Sequence, residues 1–163
     1  MSLPVIYTIG VFGSSEKEYF QKLTDNKIDT FYDIRQRRAV RGAEYAFVNS
    51  QRLQDKLAEL KINYIHELRL APTDAVRNVQ KKADAKQKVA YRKREELSNE
   101  FKDAYTKEIL AKFDLKEFVD DLAEAKAKKV VLFCVEGTAT ACHRSLVTDK
   151  IKKLFPSIKV EHL

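Results

Sequence analysis

Reactive side chains are scarce in this sequence: its 163 residues contain two cysteines and three histidines. So few cysteines in a chain of this size exclude a secreted disulfide scaffold. Long hydrophobic runs are missing as well, and nothing approaches the ~20 apolar residues that span a bilayer. The opening MSLPVIYTIG has no basic region, long apolar core or cleavage site, so no signal peptide is expected. Four glycines and three prolines leave no low-complexity linker, and no internal repeat is visible. The expectation is a cytoplasmic protein without a membrane partner.

What the chain does have is charge. Charged residues make up 34% and hydrophobic ones 44%, the balance of a soluble globular protein. The length suits one domain that buries about two-thirds of its unfolded surface. A formal charge of +7 permits nucleic acid or another phosphate-bearing partner. The stretch VRNVQKKADAKQKVAYRKREE concentrates Arg77, Lys81, Lys82, Arg92, Lys93 and Arg94. It reads as a basic helix from Arg77 to Arg94, either a solvated face or a binding surface.

Strand and helix patterns alternate along the chain. PVIYTIG, IDTFYDI, INYIHEL, KVVLFCV and IKVEHL are the strand candidates. Between them, SEKEYFQKLTDN opens on a capping box of Ser15 and Glu18, and SQRLQDKLAELK places Leu53, Leu57 and Leu60 on one helical face. A long polar helical region from Thr73 has Tyr91, Phe101 and Tyr105 as sparse apolar anchors. This alternation predicts a three-layer α/β/α, Rossmann-like fold with a mainly parallel five-stranded sheet. The apolar run at 130–135 fits a central strand buried on both faces. Residues 73–112 are expected to form a helical insertion or lid between the third and fourth strands, within a single domain spanning 1–163.

In an open parallel sheet, ligands sit beyond the carboxyl ends of the strands. That rule would bring together Gly10, Asp33 with Arg35, His66, and Cys134 with Glu136, from four strands. The segment FCVEGTATACHRS holds both cysteines together with His143 and Arg144. A helix starting near Thr140 or Ala141 would put His143 and Arg144 in its first turn. Cations are disfavoured there by about 0.3–1 kcal/mol each, unless an anion is bound. Arg144 is thus either an anion ligand or a tie to Asp33 or Glu136. Cys142, at the same helix start, would have a lowered pKa. Zinc could take Cys134, Cys142 and His143 with His66 or His162 as fourth ligand, but cysteines eight positions apart lack the paired short spacing of structural sites. A disulfide between them is disfavoured in a reducing compartment. Nucleophilic or acid–base work by a cysteine, His143 and Glu136 is the third chemistry.

YTIG near the start, the Asp-x-Arg after the second strand, INYIHEL, LFCVEG with CHRS, and the closing HL together resemble the family called domain of unknown function 488. The resemblance covers nearly the whole chain. It implies no established activity, and it maps the family's site onto Asp33, Arg35, Arg41, Cys134, Glu136, Cys142, His143 and Arg144. Where relatives often carry a polar group after the first glycine, this chain has Val11 and Phe12.

The sequence-based expectation is therefore an enzyme acting on a phosphate-bearing substrate, a nucleotide or nucleic acid. Cys142 is the first choice of reactive thiol and Cys134 the second. Glu136 and His143 would move protons, while Arg35, Arg41 and Arg144 would hold the anion. Asp33, Gly10 and His66 support the site. No metal and no cofactor are expected, with zinc kept as the alternative. A rhodanese-like sulfur-transfer protein and a non-catalytic nucleic-acid-binding module are the competing functions.

Overall fold

A computed structural model describes residues 2–90 and 93–163. Five strands, β1 (Val5–Ile9), β2 (Thr30–Asp33), β3 (Asn63–His66), β4 (Lys129–Phe133) and β5 (Val160–His162), form one sheet in the order β3-β2-β4-β1-β5. Every pairing is parallel, so the expected mainly parallel sheet is parallel throughout. β4 runs through the middle, between β2 and β1, and Val130 to Phe133 are fully buried. That is why its sequence is continuously apolar rather than alternating.

Among the described residues six α-helices cover the sheet: α1 (Glu16–Asp25), α2 (Ser50–Glu59), α3 (Asp74–Gln87), α4 (Asn99–Glu108), α5 (Leu115–Glu124) and α6 (His143–Leu154). Aromatic contacts show the two faces. Tyr19 of α1 and Phe31 of β2 both meet the Phe133 ring, at 5.6 and 5.5 Å. On the opposite face Tyr32 meets Phe118 of α5 at 5.0 Å. α1 lies beside α2, joined by the Arg52–Glu16 ion pair, while α4 and α5 flank α6. No helix among the described residues is long and apolar enough to cross a membrane.

The scarcity of glycine shows at the helix ends. α1 begins with the expected capping box, Ser15 and Glu18 satisfying each other's backbone N–H groups. At their other ends α1, α2 and α5 turn through left-handed lysines, Lys27, Lys61 and Lys126, where glycine is the usual residue. The next residue in each case, Ile28, Ile62 or Ala127, sends its N–H back to Leu23, Leu57 or Leu122. This is the Schellman closure, and it aims the chain straight into β2, β3 and β4.

Between β3 and β4 stand α3 and α4, which fall within the insertion expected over 73–112, and then α5, which lies beyond it. The basic stretch is not one helix. α3 ends at Gln87, Lys88 takes a left-handed conformation, and Arg94 lies beyond the helix. Tyr91, read as an apolar anchor, and Arg92, read as part of the basic face, lie outside the described residues.

Candidate functional site

β2 delivers an acid and a base to its carboxyl end. Asp33, fully buried, takes two hydrogen bonds of 2.8 Å from the guanidinium of Arg35 and one of 2.7 Å from the Tyr64 hydroxyl. Arg35 also donates to the Val48 carbonyl and stacks over Phe133 at 4.6 Å. Although only 3% exposed, it leaves one guanidinium nitrogen, Nη1, without a partner among the described residues. Desolvation and the Asp33 charge push the Tyr64 hydroxyl up to about 12.

The loop after β4 is pressed against the loop after β1. Val11 and Phe12 both donate to the Val135 carbonyl at 3.0 Å. Gly10 is required here, because a Cβ would overlap the carbonyl oxygen of Glu136. Gly137 is required in return, since its Cβ would lie 2.6 Å from the Phe12 carbonyl. Arg144, wholly buried, donates to the Glu136 carbonyl at 2.6 Å and to the Gly137 carbonyl at 3.5 Å. It ties main chain to main chain; its partners are not the carboxylates of Asp33 or Glu136 considered from the sequence.

The same loop is buttoned to the insertion. Leu97 donates to the Thr140 carbonyl at 3.1 Å, and the Thr140 hydroxyl donates to the Glu95 carbonyl at 2.8 Å. Arg94 reaches the Ala141 carbonyl through Nε and Nη2, at 3.2 and 3.1 Å. It also bridges two largely buried carboxylates, Asp84 at 2.7 Å and Glu136 at 2.8 Å. Cys142 then acts as the N-terminal cap residue of α6, so His143 and Arg144 stand in the first turn.

Three donor atoms meet behind this loop. The sulfurs of Cys134 and Cys142 and a ring nitrogen of His143 all lie within 4.8 Å of one another. Cys142 Sγ is 3.6 Å from His143 Nδ1, while His143 Nε2–H donates to the Ile34 carbonyl at 3.0 Å. Tyr105, donating its hydroxyl to the Leu70 carbonyl, packs on the imidazole at 5.3 Å. Burial opposes ionisation of the Cys142 thiol, yet the hydrogen bond from Cys134, with His143 and Arg144, carries it well below the ordinary thiol range. Cys134 is pushed well above that range by the same hydrogen bond and by burial. Burial also works against charge on His143, but Cys142 and Glu136 outweigh it and raise the imidazole. Burial and the neighbouring Cys142 lift Glu136 to about 7, against the pull of Arg94.

A cavity of about 730 Å³ opens over the carboxyl ends of β2 and β4 and runs under the insertion. Cys134, Glu136, His143, Arg35 and Arg41 all line it. Glu136 Oε2 has no hydrogen-bond partner among the described residues. Cys142, 1% exposed, sits behind Cys134 and off the cavity wall, as do Arg144 and Gly10. His66 is further off, holding the Arg35 carbonyl through Nε2 at 2.8 Å. Sequence reasoning placed Arg94 on a basic face and gave Asp84 no role. Their coupling to Glu136 spans 42 residues for Arg94, and no local spacing announces it. The model of the domain of unknown function DUF488 matches residues 15–151 of the chain. No curated protein and no solved structure matches it.

Proposed function

The chain belongs to the family of the domain of unknown function DUF488, and we propose that it is an enzyme acting on a phosphate-bearing substrate held in the cavity above β2 and β4. One observation carries this reading: a single cavity is lined by a thiol, an imidazole and a carboxylate together with Arg35, Arg41, Arg77 and Lys81. Structural ion pairs alone do not require such a gathering at a concave surface.

In this reading Cys134 is the nucleophile, since it reaches the cavity and Cys142 does not. Its proton has a route inward, to the sulfur of Cys142, whose thiolate His143 Nδ1 faces at 3.6 Å. The bond from His143 Nε2 to the Ile34 carbonyl keeps Nδ1 facing the sulfurs. Glu136, which lines the cavity and whose Oε2 has no partner among the described residues, exchanges a proton with the leaving atom. Arg35 Nη1 would receive the anionic group deep in the cavity, and Arg41 and Lys81 would draw it in at the rim. Arg144 keeps the loop in place rather than touching the anion.

Alkylation tests this. Iodoacetamide should label Cys134 in the native, metal-free protein, and a member of a panel of nucleotides, sugar phosphates and oligonucleotides should slow the labelling. Cys134→Ser should still bind that compound and fail to turn it over. A Cys134 that stays unreactive, or labelling that no phosphate ester slows, would overturn the reading.

A further inference from the structure

We propose that Cys134, Cys142 and His143 form a binding site for a single zinc ion. The chain hides the site, because the two cysteines stand eight positions apart and no short cysteine pair exists. The fold closes that gap: Cys134 follows the end of β4 and Cys142 immediately precedes α6, whose first residue is His143.

The distances suit a tetrahedral borderline-soft ion. Zinc bonds of about 2.3 Å to sulfur and about 2.0–2.1 Å to nitrogen, at a tetrahedral angle, separate the two donors by about 3.6 Å. Cys142 Sγ and His143 Nδ1 are 3.6 Å apart, and all three donors fall within 4.8 Å of one another. The imidazole is also held as a zinc ligand is held. Its remote N–H is fixed on the Ile34 carbonyl, which leaves Nδ1 facing the sulfurs. Two sulfurs and a nitrogen select zinc over magnesium or calcium, which take oxygen ligands. Cys134 and His143 both line the cavity, so the ion has a route inward and a fourth position open to that side. Two protein thiols and one imidazole with an open position is a zinc arrangement that catalytic sites use.

The site stands on donor geometry and does not need the catalytic reading. It does bear on it, because an ion taking both sulfurs leaves no free nucleophile. Zinc would then hold the thiol centre inactive until it is removed.

The experiment is an anaerobic titration of the reduced, metal-free protein with cobalt(II) as a spectroscopic stand-in. One equivalent should give the intense visible bands of tetrahedral cobalt and a sulfur-to-cobalt charge-transfer band in the near ultraviolet. One equivalent of zinc should bleach both. Cys134→Ser and Cys142→Ser should each weaken binding by at least roughly 100-fold, the upper end of what second-shell changes cost. Buried cysteine variants can fail to fold, so two measurements use the unsubstituted protein. X-ray absorption at the zinc edge should read two sulfurs in the first shell, and zinc should suppress whatever labelling of Cys134 the metal-free protein shows. A weak octahedral cobalt spectrum without charge transfer, a first shell of oxygen and nitrogen only, or Cys134 labelling that proceeds in the metal-free protein and continues unslowed with zinc would each overturn the site. Labelling of Cys134 in the metal-free protein tests the nucleophile separately, so the two proposals fail independently.

Discussion

Gly10 and Gly137 each face a backbone carbonyl of the opposing loop, whereas Gly13 does not. Gly13 has a positive φ of 89° and open space around it, so its substitution meets backbone strain alone. Gly13→Ala should cost about 1–2 kcal/mol. Gly10→Ala drives a methyl group into a carbonyl oxygen of the neighbouring loop, with backbone rather than a flexible side chain in the way. It should cost about 3 kcal/mol or more, the upper end of overpacking penalties. Urea denaturation of both variants checks the order, and equal losses would show that the loops separate easily. Arg94 makes a second case. Arg94→Ala leaves Asp84 and Glu136, 13% and 10% exposed, without their shared counter-charge. The loss should be about 3–5 kcal/mol. Adding Asp84→Asn and Glu136→Gln should recover part of it, since neutral amides need no guanidinium, and denaturation of the triple variant reads the recovery.

At the level of elements, four helices, α1, α2, α3 and α5, end on lysines held in the left-handed region. Lys27→Gly, Lys61→Gly and Lys126→Gly should each raise stability by about 0.5–1 kcal/mol, because glycine adopts that conformation without a Cβ penalty. Thermal melting of the single variants measures it, and a triple variant should sum them, as the sites are far apart. α4 offers the opposite sign. Tyr105→Phe removes a buried hydroxyl and strands the Leu70 carbonyl that accepted from it. A loss of about 1–3 kcal/mol is expected in denaturant unfolding. The elements themselves were largely legible. Capping at Ser15, the leucine face of α2 and the apolar β4 are local signals, and local physics decides them. The break in the basic stretch at Lys88 was not legible, because lysine carries no turn signal of its own. The expectation of one helix there followed propensity where the chain instead turned.

For the molecule as a whole, a net charge of +7 matters where charges converge on a concave surface. Arg41→Ala and Lys81→Ala should each weaken a bound phosphate ester by roughly 3–10-fold at low ionic strength, and the difference should shrink as salt screens the exposed rim. Calorimetric titration at two salt concentrations checks this, and a salt-independent loss would place these side chains in direct, dehydrated contact instead. Part of the cavity wall could be read in advance from strand ends: Arg35, Cys134 and Glu136 each follow a strand, and the parallel sheet gathers them. What stayed hidden was depth. Nothing in CHRS tells that Arg144 faces main-chain carbonyls, or that Cys142 stands behind Cys134 rather than before it. Those facts depend on the close approach at Gly10, which lies 134 positions from Arg144 in the sequence.

The fastening between Leu97 and Thr140, doubled by the Thr140 hydroxyl on Glu95, joins a segment of the insertion to the loop that carries the thiols. Neither can move without the other giving up its hydrogen bonds. The Leu97 amide proton is therefore a reporter placed by the fold itself. Its exchange with deuterium should follow the opening of the chamber, and should slow when anything fastens the cysteine loop from within.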